Sequence, residues 1–151
     1  MIGDGNGWND GPEGQKVWGK YGAAGLLLVA EGKYVLLQHR AEWTNQGGTW
    51  ALPGGARDSH ETAAEAAVRE AIEETEIDPA NVTVVGEKVT AGPGPTGWTY
   101  TTVLARCEKR LSTTANAESL ELRWVPLGDV DKLPLLPAFG ASWPDLLLWA
   151  S

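Results

Sequence analysis

Apolar and polar positions follow two different rhythms along this chain. Gly22 to Ala30, GAAGLLLVA, is an unbroken apolar run, as expected of a strand buried on both faces. Glu31-Gly32 predicts a tight turn, and Tyr34 to Arg40 a second strand that delivers His39 and Arg40 into a loop from Ala41 to Gly48. Trp50-Ala51-Leu52 predicts a short strand running into a Pro53-Gly54-Gly55 corner, where the missing side chains let the backbone approach a ligand. From Thr62 the rhythm becomes helical: Ala64, Ala67, Val68, Ala71 and Ile72 share one stripe. Thr62 is the expected N-cap, with Glu65 as its capping-box partner, and Asp78-Pro79 ends the helix. The acidic residues of this helix fall largely opposite its apolar stripe. One face should therefore pack on a sheet while the other borders a cleft.

Further strands are predicted over Val82 to Val89, Trp98 to Arg106 and Leu120 to Val125, with a loop from Ala91 to Gly97 and a short turn through Val130. Ser142, followed by Trp143-Pro144, reads as the N-cap of a final helix over Asp145 to Ala150. The first nineteen residues are rich in glycine, asparagine and aspartate. They predict an irregular arm or a short hairpin, tied down by Trp8 and Trp18. Neither a repeat nor a linker interrupts this order, so residues 1–151 are expected to form one layered α/β domain.

Charge narrows the partners. A net charge of −8 leaves no basic stripe for a nucleic-acid polymer. It leaves room for a small phosphorylated substrate, because a bound cation reverses the local sign. No apolar run approaches the length that spans a bilayer, and no secretory segment is visible. The single cysteine, Cys107, excludes an internal disulfide and reads as a buried thiol in a reducing compartment. A cytoplasmic protein is the expectation, as a monomer or a homodimer.

The chemistry concentrates between Gly54 and Ile77, GGARDSHETAAEAAVREAIEETEI. Glu70 stands at i,i+3 from Glu73 and i,i+4 from Glu74, so three carboxylates crowd one stretch of helix. Such like-charge pairs destabilise a bare helix by roughly 0.2–0.5 kcal/mol each. A divalent cation turns the repulsion into a binding site, and hard oxygen ligands suit Mg2+, with Mn2+ as the alternative. Gly-Gly, the isolated Glu61, Arg69-Glu70 and Glu73-Glu74, preceded by Trp50-Ala51-Leu52-Pro53, together resemble the signature of the Nudix hydrolases. Those enzymes cut nucleoside diphosphates linked to another group. The resemblance implies an α/β/α sandwich with a mixed central sheet, in which the signature forms a loop–helix–loop. It extends over about Gly22 to Trp124, and only Gly54 to Ile77 is specific. Two positions depart from the pattern. Ala71 replaces a larger aliphatic residue. Glu76 replaces the glycine that ends the helix in a left-handed conformation, so the helix either ends differently or is strained there.

On this reading Glu70 and Glu74 are metal ligands, Glu73 is a ligand or a catalytic water partner, and Gly55 offers its backbone oxygen. The resemblance makes Arg69 an organiser of its neighbouring glutamates. Glu61 either ties the loop to the helix, the preferred role, or reaches the metal through water. The family often takes its general base from outside the helix. Glu118, in the loop before a strand, is preferred here to Glu121 within that strand. Arg40, beside His39, is placed to hold a phosphate or a base edge. Among the eight tryptophans, Trp43 and Trp98 lie in or beside loops and are the candidates for stacking on a nucleobase. Trp50 and Trp124 read as core, and His60 as an exposed loop residue.

The expected reaction is magnesium-dependent cleavage of a nucleoside triphosphate, including an oxidised one such as 8-oxo-dGTP, to the monophosphate and pyrophosphate. Pro93, sixteen residues past Ile77, resembles a proline of ADP-ribose hydrolases and motivates ADP-ribose or a nucleotide sugar as the alternative. A non-catalytic module that senses a nucleotide is the third reading, against which the full set of glutamates stands.

Overall fold

The computed structural model describes residues 3–151; Met1 and Ile2 of the expected N-terminal arm lie outside them. A mixed seven-stranded sheet is built from β3 (Ala23–Ala30), β4 (Tyr34–Arg40), β5 (Trp50–Ala51), β6 (Gly54–Ala56), β7 (Thr83–Ala91), β8 (Tyr100–Cys107) and β9 (Ser119–Pro126). Its main path runs β5-β4-β3-β8-β7, with β9 beside β4 and β6 beside β3. Only β3 and β8 are parallel, in register from Ala23–Tyr100 to Ala30–Cys107.

The alternation of β3 divides the core between two layers. Leu27 and Val29 point to one face, where helix α2 (Pro137–Ala150) brings Phe139, Trp143 and Leu146. Leu26 and Leu28 point to the other, where helix α1 (Ala63–Thr75) brings Ala66, Ala67 and Ala71. All four β3 side chains are essentially inaccessible, and each such burial contributes roughly 1.5–3 kcal/mol. The result is an α/β/α sandwich, as the signature implies. Small residues on α1 let it lie close to the sheet, so Ala71 is seated where a larger side chain would need more room. No helix among the described residues is long and apolar enough to cross a membrane.

The sheet is not continuous. β3 and β4 pair only at their shared turn, Val29–Val35 and Ala30–Tyr34, and then diverge. Into the gap comes β6, pairing Ala24 with Gly55 and Gly25 with Gly54. Gly54-Gly55, expected to form a corner, instead hydrogen-bonds along its backbone as a short strand. Gly54 is obligatory there, since a Cβ would sit 2.7 Å from the Gly25 Cα. The split opens a cleft at the start of β3.

Two other expectations change. The final helix starts at Pro137, not at Asp145, and runs through Pro144. Phe139, Trp143, Leu146 and Ala150 form one buried stripe at helical spacing, and that burial outweighs the hydrogen bond Pro144 cannot donate. The N-terminal arm forms a hairpin of β1 (Trp8–Asp10) and β2 (Lys16–Trp18). Its tryptophans are not buried anchors: they meet edge to face at 5.2 Å between centroids and remain exposed. Backbone and small polar groups hold the arm instead. The Gly5 N–H donates to Asp58, and Ser59 donates to Asp4 through its N–H and its hydroxyl.

Candidate active site

Helix α1 begins as expected, with the complete Thr62–Glu65 capping box. Its second half is rotated relative to the sequence expectation. Glu74 is not on the solvent side but 4% exposed, on the edge that meets β6. There one carboxylate oxygen accepts from the Gly54 N–H at 3.3 Å. One turn earlier, the Glu70 carboxylate lies against the Cα of Gly55, where a Cβ would come within 2.6 Å of it. A side chain at 55 would displace the Glu70 carboxylate from this position. Two acids and the Gly54-Gly55 backbone converge at the mouth of the cleft.

The electrostatics of this convergence are unfavourable in the bare protein. Burial, then the charge of Glu70 and that of Glu118, pushes the Glu74 carboxyl up to about 9. Glu70 is also raised, first by burial, with the Arg69 charge opposing and Glu73 and Glu118 adding to it. Carboxylates packed together without enough positive charge are what a divalent cation would neutralise. Glu70, Glu74 and the Gly55 backbone therefore fit a hard metal ion as ligands. Glu118, exposed on its loop, is close enough to raise both acids. Its position is fixed by backbone bonds: its carbonyl accepts from the Ala41 N–H and its N–H donates to Asn116, which reaches the Glu73 carbonyl. Glu121 is engaged elsewhere, both of its oxygens held at 3.0 Å by Arg123.

Arg69 and Glu61 form the frame behind the acids. Arg69 donates to both oxygens of Glu61, at 2.7 and 2.9 Å, and to the Ala56 carbonyl. Its remaining nitrogen reaches Glu70 at 3.0 Å and Glu73 at 3.3 Å. That Arg69 bond, more than anything else, holds the Glu61 carboxyl below its usual range. Every Arg69 nitrogen is thus engaged within the protein, an arrangement that suits an organiser of the neighbouring glutamates. Glu61 ties loop to helix, its second task being to accept from the Asp58 N–H. Asp58, His60 and Glu61 also approach one another closely enough to share a cation. Both Glu61 oxygens are already taken by Arg69, however, and Asp58 is bound to Gly5.

Glu73 stands apart from Glu70 and Glu74. It is exposed, and its oxygens face Arg69 rather than the Gly54-Gly55 backbone. Arg40 ends β4 at a bulge between His39 and Arg40 that turns its side chain toward the loop, where it donates to the Asn45 carbonyl. Its charge still reaches Glu74. Trp43 is 70% exposed and donates to the Ala117 carbonyl, beside Glu118. Trp98 is a correction: it is 7% exposed beneath the hairpin, its indole N–H donated to the Trp18 carbonyl, with no face free for a base. Its neighbour Tyr100, which alternation alone did not single out, lays its ring across β3 at Gly25, near Leu52. A groove of about 700 Å³ between β7 and α2, lined by Lys88, Leu148 and Trp149, includes none of these residues and is not the chemical site.

Comparison with known proteins identifies the family. The family model described as the NUDIX domain matches residues 20–146, leaving only the hairpin arm and the last few residues outside. A Mycobacterium tuberculosis protein, "Putative 8-oxo-dGTP diphosphatase 3", is 54% identical over 153 residues, covering 97% of this chain and 70% of its own. A nucleoside triphosphate pyrophosphatase/Nudix hydrolase fusion protein of Bifidobacterium longum is 43% identical, over 93% of this chain and 30% of its own. The crystal structure of a Nudix hydrolase from M. smegmatis, RenU, superposes with a TM-score of 0.88 at 52% identity, covering 94% of this chain and 92% of that one. A C. elegans Ap4A hydrolase shares the fold at 22% identity and a TM-score of 0.67, over 84% and 96% of the two chains. The chain belongs to the Nudix family of pyrophosphohydrolases.

Proposed function

We propose that this chain hydrolyses nucleoside triphosphates, oxidised purine triphosphates such as 8-oxo-dGTP among them, to the monophosphate and pyrophosphate with Mg2+. The observation that carries the reaction is the convergence of Glu70 and Glu74 on the Gly54-Gly55 backbone, with the charge of Glu118 acting on both acids. The choice of substrate is supported by the M. tuberculosis relative, whose name specifies 8-oxo-dGTP and which aligns along nearly the whole chain.

A phosphoanhydride is protected by its own negative charge, so cleavage requires neutralised oxygens and an activated water. Glu70, Glu74 and the Gly55 carbonyl would hold the ion. Bound there, a divalent metal neutralises phosphate oxygens and lowers the pKa of water. Glu118 is exposed on the open side of the acids, and one of its carboxylate oxygens accepts the proton of the attacking water. Arg40 exchanges its bond to the Asn45 carbonyl for a phosphate oxygen. Trp43, exposed beside the Glu118 loop, offers a face for the base. Arg69 and Glu61 hold the helix against the glycine strand and touch no substrate.

A panel assay tests the proposal. Unmodified and oxidised triphosphates, ADP-ribose and nucleotide sugars are offered with Mg2+, and the products are separated by chromatography. Monophosphate plus pyrophosphate from an oxidised triphosphate is the expected result. Cleavage of ADP-ribose or a sugar nucleotide alone would overturn the substrate assignment and give weight to Pro93. Tight nucleotide binding without cleavage would overturn the reaction as well.

A further inference from the structure

Residues 3–7 lie outside the stretch that the family model matches, yet they pack directly on the signature loop. The Gly5 N–H donates to Asp58 Oδ1 at 2.8 Å in a buried bond, and Asp4 accepts from the N–H and the hydroxyl of Ser59. On the other side of this strap, the Gly5 carbonyl accepts from the Lys20 N–H and the Gly7 carbonyl from the Gly19 N–H. The strap is therefore clamped between the loop and the end of the hairpin. The contact leaves no room for side chains. A Cβ on Gly3 would lie 2.7 Å from Asp58 Oδ2, and one on Gly5 would collide with the Arg57 carbonyl oxygen. A side chain at either position would push strap and loop apart.

Asp58 links the strap to the acids. It is buried, its N–H donates to Glu61, and its carbonyl accepts from the Glu61 N–H. One carboxylate oxygen is held by Gly5, and the other faces Arg69 Nη2 at 3.6 Å. That distance is an ion pair without a hydrogen bond, so Nη2 donates instead to Glu61 and to the Ala56 carbonyl. The other terminal nitrogen, Nη1, donates to Glu70 at 3.0 Å. A guanidinium is planar and rigid, so a pull on its Nη2 edge also moves Nη1. Released from Gly5, the Asp58 carboxylate would close on Nη2 and turn the guanidinium away from Glu70.

We propose that the N-terminal strap serves the metal site: through the Gly5–Asp58 bond it sets the position of Arg69 and hence of Glu70, which makes Asp58 a positioning residue. This rests on Glu70 being a metal ligand. Gly5→Ala tests it from outside the signature, by unseating the strap without altering Asp58. The Mg2+ concentration for half-maximal turnover should rise about 3- to 10-fold, the worth of one hydrogen bond, and Mn2+ affinity should weaken by the same factor. Asp4→Ala, which removes only the exposed bonds to Ser59, should shift both in the same direction by less. In the Asp58→Asn chain, Gly5→Ala should add little, because the path runs through that carboxylate. A lower melting temperature in Gly5→Ala and Asp4→Ala, with Mg2+ requirement and Mn2+ affinity unchanged, would overturn the proposal and leave the strap a structural tie. Full additivity with Asp58→Asn would overturn the path through Asp58. If the wild-type protein binds no Mn2+, the metal assignment fails by itself. Solvent exchange of the Arg69 Nε–H, followed by NMR without metal, then decides the positioning: faster exchange in Gly5→Ala upholds it, and an equal rate overturns it.

Discussion

Glu76 departs from the family pattern without changing how the helix ends. It caps α1 at φ 57° and ψ 28°, its N–H donating to the Ile72 carbonyl, so the helix ends as it would with glycine. The left-handed turn is kept and the side chain bears the strain. Glu76→Gly should raise stability by up to about 1 kcal/mol in denaturant unfolding, with turnover unchanged. Lower stability would show that the Glu76 side chain holds a contact worth more than the strain. Trp98 gives the opposite lesson. Position beside a loop suggested a stacking surface, but whether an indole is covered depends on which distant segment docks there. Here that segment is the N-terminal hairpin, and nothing in the local pattern reports it.

At the level of elements, α1 and the β6 strand work as a pair. The intervals between Gly55, Glu61, Glu70 and Glu74 made this pairing legible, because a helix and an extended backbone convert spacing directly into proximity. Spacing could not resolve rotation about the helix axis, which is why Glu74 is buried and Glu73 exposed. The clamp between the two elements is Arg69 on Glu61. Arg69→Ala leaves the 9%-exposed Glu61 without its partner and should destabilise the fold by about 1.5–3 kcal/mol, the range for hydrogen bonds to a charged group in a partly buried pair. Turnover should fall through loss of the loop's position, and Glu61→Gln in the same chain should restore part of the stability. An unchanged melting temperature in Arg69→Ala would remove Arg69 from that role. Helix α2 was misplaced for a related reason: Pro144 reads locally as a start, while the Phe139–Trp143–Leu146 stripe that outweighs it is recognisable only once the sheet face is in view.

For the whole molecule, the strands were legible because they rest on short-range periodicity, while the sandwich was implied by the resemblance of the signature to the Nudix family. The split between β3 and β4, which creates the cleft, was not, since it depends on β6 inserting beside a strand far away in sequence. That split brings carboxylates together, and the fold must tolerate them when no metal is bound. The folded Glu74 carboxyl titrates near 9 against 4.5 for an ordinary glutamate. Metal-free folded protein therefore retains a proton that the unfolded chain has released, and stability declines as pH rises through that interval. The metal-free melting temperature should fall between about pH 5 and pH 9, and added Mg2+ should raise it more at the upper end. Glu74→Gln should flatten the metal-free profile. A flat wild-type profile with no response to Mg2+ would contradict the electrostatic account of the site.

Turnover of 8-oxo-dGTP as a function of Mg2+, in wild type and in Glu74→Gln, tests the central claim most directly. The substitution keeps the shape of the side chain and removes its charge, so the fold should persist. The account predicts a Mg2+-dependent wild-type rate and a loss of at least about 100-fold in the variant, unrecovered at saturating metal. A near-normal, metal-dependent rate in Glu74→Gln would place the chemistry elsewhere in the molecule.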